Sequence, residues 1–199
     1  LYAASRTSDD MGLPALVHGD GMRFDGSYRY NHILSDPQHD TRIKQQNIDL
    51  VEKIHTERTL HFGHSTSPEA LKTLADLLAV CKAHGVYVVG FLPPFPRPLY
   101  TAMMDTDDAY RHTIQTLPKE LEQEFSLQGY GFYNFTDSSI IGGGDYEYTD
   151  AGHGSEILYA RLSVYLAVHD EVLREVLDAS SLEQRLTQNP GTSLRGGVW

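Results

Sequence analysis

The chain has 199 residues, 40% of them apolar, a net charge of −11 and one cysteine. That length and balance fit a single globular domain with a buried core and exclude a disordered chain. The acidity argues against nucleic acid as a partner and against adhesion to anionic lipid, since both need a basic surface.

Cys81 stands alone, so no internal disulfide can form, and its place on an apolar helical face suggests a buried thiol. No apolar run is long enough to span a bilayer and no signal peptide opens the chain, so no membrane insertion by this chain is expected.

In chain order, Leu13 to His18 reads as a short strand running into Gly19-Asp20-Gly21. Asp25-Gly26 is a turn signal amid alternating aromatic and basic residues, which predicts a hairpin or ordered loop. After Ser35-Asp36-Pro37, the spacing of Ile43, Asn47, Leu50, Val51 and Ile54 predicts a helix to about Thr56. Thr59 to Phe62 reads as extended, and Gly63 to Thr66 as a loop. Ser67 is an N-cap with Pro68 in the first helical position. That helix should bury Leu71, Leu74, Ala75, Leu78 and Cys81 and stop at His84-Gly85.

Val86 to Leu92 is a continuous apolar run, as expected of a central parallel strand covered on both faces. Four prolines then stiffen Pro93 to Pro98. Ligands in open α/β sheets bind beyond the carboxyl ends of strands, so this segment is either a cleft wall or a rigid connector. Helix is predicted from Asp105 to about Gln128, with a break at Pro118, and strand from Phe132 to Thr136. Ile140 to Gly144 reads as a flexible loop. The triple glycine is not a phosphate loop, because no Lys-Ser/Thr pair follows it. Ile157, Leu158, Leu162, Tyr165 and Leu166 mark a last helix that continues or re-forms to about Ala179. Residues 1–186 are read as one domain and 187–199 as a flexible tail. The alternation of helix and strand predicts an α/β fold with a parallel sheet between helical layers.

Between the triple glycine and the last helix lies Asp145 to Glu156. Asp150 sits where a helix N-cap would sit, and His153 would fall in the first helical turn. An acid that orients a histidine is two thirds of an acyl-transfer triad. Equally, Asp is a common N-cap, and a His three residues on can be incidental.

Several motifs in this order resemble the C-terminal part of the SGNH (GDSL-like) hydrolase superfamily, in its branch concerned with cell-surface polysaccharide. They are Val88 to Pro94, Tyr133-Asn134-Phe135-Thr136-Asp137 and Asp150-Ala151-Gly152-His153, with Arg23-Phe24-Asp25-Gly26-Ser27 ahead of them. The resemblance covers roughly residues 20 to 170. It implies a three-layer α/β/α fold with a mainly parallel, flavodoxin-like sheet, incomplete at its N-terminus. It implies an ester hydrolase or O-acyltransferase acting on a small-molecule or glycan ester, with no cofactor and no metal, in an extracytoplasmic setting. Carried over, His153 is the general base and Asp150 its orienting acid. The family's nucleophile is a Ser in a Gly-Asp-Ser turn, but here Gly19-Asp20-Gly21 has Gly in its place. Either that string is a degenerate block in a pseudoenzyme, or the true block lies upstream of Leu1, which is the reading preferred. Asn31 and Asn134 are candidates for the oxyanion Asn, and Ser65 and Ser155 are alternative hydroxyls. A non-catalytic glycan-binding or assembly module is the competing function. A metal site from Asp145, Asp150 and His153, with His61 or His64, is a third reading, and its spacing matches no strong zinc signature.

Overall fold

The structure, a computed structural model, describes residues 20–22, 28–57, 59–60 and 63–188. The chain divides into two compact units, Leu1–Arg42 and Ile43–Trp199. Helix α2 (His39–Thr56) carries the boundary between them.

In the first unit, β1 (Gly21–Met22) pairs antiparallel with β2 (Tyr28–Arg29), Met22 opposite Tyr28. The predicted hairpin is there. Its connecting residues, Arg23 to Ser27, lie outside the described residues, as does the strand predicted from Leu13 to His18. A single helical turn, α1 (Asn31–Leu34), follows.

The second unit is mostly helical around one small parallel sheet, an α/β arrangement. Strand β3 (Gly90–Leu92) pairs with β4 (Phe132–Asn134), Gly90 opposite Phe132. The strand predicted from Val86 is therefore shorter, with Val86 to Val89 leading into it, and Phe91 is 41% exposed rather than covered. Beyond Leu92 the prolines keep the backbone extended. Phe95 forms a further parallel bridge to Asp137, and its N–H donates to Thr136 O at 3.2 Å.

Helix α3 (Pro68–Ala83) starts as predicted. The Ser67 hydroxyl accepts from the Ala70 N–H, and Pro68 occupies the first turn, where no intrahelical donor is needed. Only Leu78 of its predicted apolar face is fully buried, and Cys81 is half-buried. Helix α4 (Arg97–Asp105) begins inside the proline segment, earlier than predicted, because Pro98 suits a first turn as well as it suits a loop. Then come α5 (Asp108–Arg111), a π-helical turn (His112–Thr116) and α6 (Leu117–Gln128). The irregularity predicted at Pro118 takes the form of a π-helical turn just before it, and Pro118 itself lies in the first turn of α6. Gly129 closes α6 in the left-handed region at φ 77°, where a side chain would be strained. Thr59 and Leu60 form a turn rather than a strand, with Leu60 at φ 62°, and His61 and Phe62 lie outside the described residues.

Three apolar clusters hold this unit. Leu78, Phe125 and Tyr130 bring α3 and α6 against Val88 and Phe132. Phe135, Tyr148, Leu158, Leu162 and Leu166 gather α7 (Glu156–His169) against Val89 and Tyr133. Phe132 and Tyr133, adjacent on β4, thus point to different clusters, as the two-residue period of a strand requires. The third cluster joins Ile54 of α2 to Leu99 and Met103 of α4 and Tyr110 of α5. After α7 the chain makes a 3-10 turn (Leu173–Glu175) and a separate helix, α8 (Ala179–Gln188), which takes in the first two residues of the predicted tail.

One buried carboxylate ties these parts together. Asp170, at the end of α7, accepts the phenols of Tyr87 (2.8 Å) and Tyr133 (3.1 Å) on Oδ2 and the N–H groups of Val172 (3.0 Å) and Leu173 (2.9 Å) on Oδ1. The fit is close enough that a Cβ on Gly131 would lie 2.5 Å from Oδ2.

Candidate active site

The stretch from Gly144 to Ser155 is a loop pinned at four points. Arg161 of α7 grips Glu147 with two nitrogens, Nε to Oε2 at 3.0 Å and Nη2 to Oε1 at 2.9 Å. The Ser155 N–H donates to Glu147 O at 2.9 Å. Tyr148 is fully buried in the α7 cluster. Asp145 Oδ1 accepts the Arg97 N–H at 2.9 Å, which joins this loop to the end of the proline segment. Loops from the carboxyl ends of β3 and β4 therefore meet, as they should in an α/β sheet.

At the tip, Tyr148 and Gly154 form an antiparallel bridge, and the Thr149 N–H donates to His153 O at 2.8 Å. Asp150 opens a tight turn inside that bridge. Its Oδ1 accepts the N–H of Gly152 (2.8 Å) and of His153 (2.9 Å). His153 Nδ1 lies 2.9 Å from Oδ1 and 2.8 Å from Oδ2 of the same carboxylate. The acid–imidazole pair predicted from the sequence is thus formed, but its local setting differs. Asp150 is not a helix cap and His153 is not in a helix. The N-cap of α7 is Ser155, whose hydroxyl accepts the Leu158 N–H. The reason is spacing: Ser155 can also cap, and the bridge uses Thr149 to Gly154 before the helix starts.

Electrostatically the pair is ordered. Burial alone would raise the Asp150 carboxyl. The Gly152 N–H, the His153 ring and the His153 N–H outweigh it and hold the group below the usual carboxylate range. An ionised Asp150 fixes the proton on Nδ1 and leaves Nε2 as the acceptor. The imidazole side chain is 82% exposed and that of Asp150 48%, so Nε2 faces solvent.

The other candidates fare differently. Ser155 is 2% exposed and engaged in capping, so its hydroxyl is structural. Ser65 lies in an exposed bend before α3. Among the described residues no serine hydroxyl reaches His153. Asn134 is engaged by its neighbours: Oδ1 accepts Thr136 N (3.1 Å) and Oγ1 (2.8 Å), and Nδ2 donates to Ile114 O at 3.5 Å. Asn31 opens α1, in the other unit. Among the described residues no three His, Cys, Asp or Glu groups are placed to hold a metal ion, and His61, named in the metal reading, lies outside them.

Two constellations had no signal in the sequence. In the first unit Asp20, 8% exposed, accepts the His32 N–H at 3.0 Å and lies 2.9 Å from His32 Nδ1. This is a second acid–imidazole pair, with its members twelve residues apart, and Gly-Asp-Gly alone does not announce it. In the second unit the Thr66 hydroxyl donates to Glu120 and lies 3.0 Å from His112 Nε2. A hydroxyl has one proton, so with Glu120 accepting it the imidazole must donate. Thr66 is therefore clasped rather than deprotonated by His112. Comparison with protein-family models, with curated proteins and with solved structures finds no match to this chain.

Proposed function

We propose that the chain is an SGNH-type ester hydrolase or O-acyltransferase domain in which His153 is the general base and Asp150 orients it. The acid–imidazole geometry at the tip of the pinned loop carries this reading. With Nδ1–H directed at Asp150, Nε2 would take the proton of a nucleophilic serine and return it to the leaving group. Asp150 would stabilise the imidazolium that forms between those steps. The preorganised loop supports the assignment, because a base must hold its direction to be effective. On this reading the parallel β3–β4 pair, with side chains from helices packed on its residues, belongs to a three-layer flavodoxin-like sheet. The substrate class is an acyl ester, acetyl or other, on a small molecule or a glycan.

The test is turnover of p-nitrophenyl acetate by the full-length protein. His153→Ala and Asp150→Asn should each lower it by about a hundredfold or more. Equal rates in the wild type and both variants would refute the assignment. A second reading is a non-catalytic glycan-binding or assembly module. It is favoured by the capping role of Ser155, which leaves no serine near His153 among the described residues. A fluorophosphonate separates the two, because only an activated serine is labelled.

A further inference from the structure

We propose that the second unit binds an extended peptide of a partner protein, with alternate apolar residues and basic flanks, as an added antiparallel strand on the open edge of β4. The ladder with β3 fixes which backbone groups are already used. Gly90 N–H donates to Gly131 O and Phe135 N–H to Leu92 O, so Tyr133 turns its own N–H and C=O toward β3. Phe132 and Asn134 therefore aim theirs the other way. The sheet ends at β4, and these outward groups meet no hydrogen-bond partner among the described residues. An open cleft of about 420 Å3 lies against this edge. β4 forms one wall, and Ile114 and Pro118, from the π-helical turn and α6, form the other.

A peptide laid on a free strand edge gains affinity from main-chain hydrogen bonds and specificity from its alternate side chains. Here Phe132 and Asn134 share one face of β4, the face that Ile114 closes: the Asn134 Nδ2 donates to Ile114 O at 3.5 Å. Peptide residues directly opposite these two must present apolar side chains to that wall, and the residue between them points away. Charge selects the flanks. α6 carries Glu120, Glu122 and Glu124 against Lys119 alone, Glu122 stands exposed at the mouth of the cleft, and the whole chain has a net charge of −11. Basic flanking residues complement that field. With α6 standing beside the edge, the opening fits one strand and not a second folded unit. Asp150 and His153 do not line this cleft, so the inference stands apart from the hydrolase reading.

The experiment is fluorescence polarisation of a fluorescein-labelled Lys-Val-Thr-Val-Lys peptide titrated with the full chain. Binding should saturate. Methylating the two valine nitrogens keeps every side chain but removes the donors that would face β4, and should weaken binding about tenfold or more. Glu-Val-Thr-Val-Glu should bind about threefold or more weakly than the basic peptide, and Glu122→Lys should erase that preference. Lys119→Trp, at an exposed position on the rim, should block the cleft and abolish binding. No saturable binding to the wild type, equal binding of the methylated peptide, a preference for the acidic peptide, or full binding to Lys119→Trp would overturn the proposal. So would a wild-type dimer in sedimentation that Lys119→Trp dissolves, since it would assign the edge to a second copy.

Discussion

Removing the Asp170 carboxylate should be the most damaging single polar change in the second unit. Asp170→Ala strips the acceptor from two phenols and two backbone N–H groups. The exposed turn at Val172 lets water replace that acceptor for the N–H groups, whereas the half-buried phenols of Tyr87 and Tyr133 have little recourse. Each hydrogen bond to a charged acceptor contributes about 1.5–3 kcal/mol, so losing the two phenol bonds costs about 3–6 kcal/mol. Asp170→Asn keeps Oδ1 for the N–H pair but puts the donor Nδ2 where Oδ2 accepted the phenols, so both phenols must turn and accept its two protons, at a cost of about 1–2 kcal/mol. The pH dependence has a definite sign. Burial by itself would raise the Asp170 carboxyl, but the Leu173 N–H, the two phenols and the Val172 N–H hold it below the usual range. Its folded value thus lies below the unfolded value of about 3.9. The advantage of wild type over Asp170→Asn is therefore full above pH ~4 and fades as pH falls through the folded value. Burial and the Asp170 charge push the Tyr133 phenol up to about 12, so it remains a donor across that range. Urea unfolding followed by far-UV circular dichroism, at pH 7 and in steps below pH 5, measures all of this. Equal costs for the Ala and Asn variants, or an Ala cost under about 1 kcal/mol, would refute the reasoning.

Three further outcomes follow from the candidate site. Arg161→Leu leaves the Glu147 carboxylate, 14% exposed, without its cation, and should cost about 2–3 kcal/mol while speeding amide hydrogen exchange from Gly144 to Ser155. Exchange unchanged in that loop would show the clamp to be dispensable. Ser155→Ala removes the α7 cap and should lower stability by about 1 kcal/mol, yet leave any p-nitrophenyl acetate turnover unaltered. Loss of turnover in a stably folded Ser155→Ala would instead make that hydroxyl the nucleophile. His153→Ala should leave stability within about 0.5 kcal/mol of wild type while lowering turnover, because its ring is exposed.

Much of the local structure was legible. Ser67-Pro68 specified the start of α3, and the apolar spacing from Ile43 to Ile54 specified α2, since capping and helical periodicity are short-range effects. Asp150 and His153 were legible as a pair for the same reason: three residues in a turn are enough to bring them into contact. Competition between neighbours hid the rest. Pro118 marks an interruption of the helix, but only the structure shows that it takes the form of a π-helical turn at His112–Thr116 with α6 starting at Leu117. The apolar run from Val86 predicts a long central strand, but its pairing is limited to the three residues that face β4.

Sequence alone determined the caps, the helix faces, the acidic surface and the candidate acid–imidazole pair, because each depends on residues a few positions apart. Only the tertiary structure decided which side chains meet across long separations. Tyr87 and Tyr133 converge on Asp170, Arg161 clamps Glu147, and Asp145 reaches Arg97. Such contacts depend on how the packed elements are arranged, and no local pattern of residues encodes that arrangement.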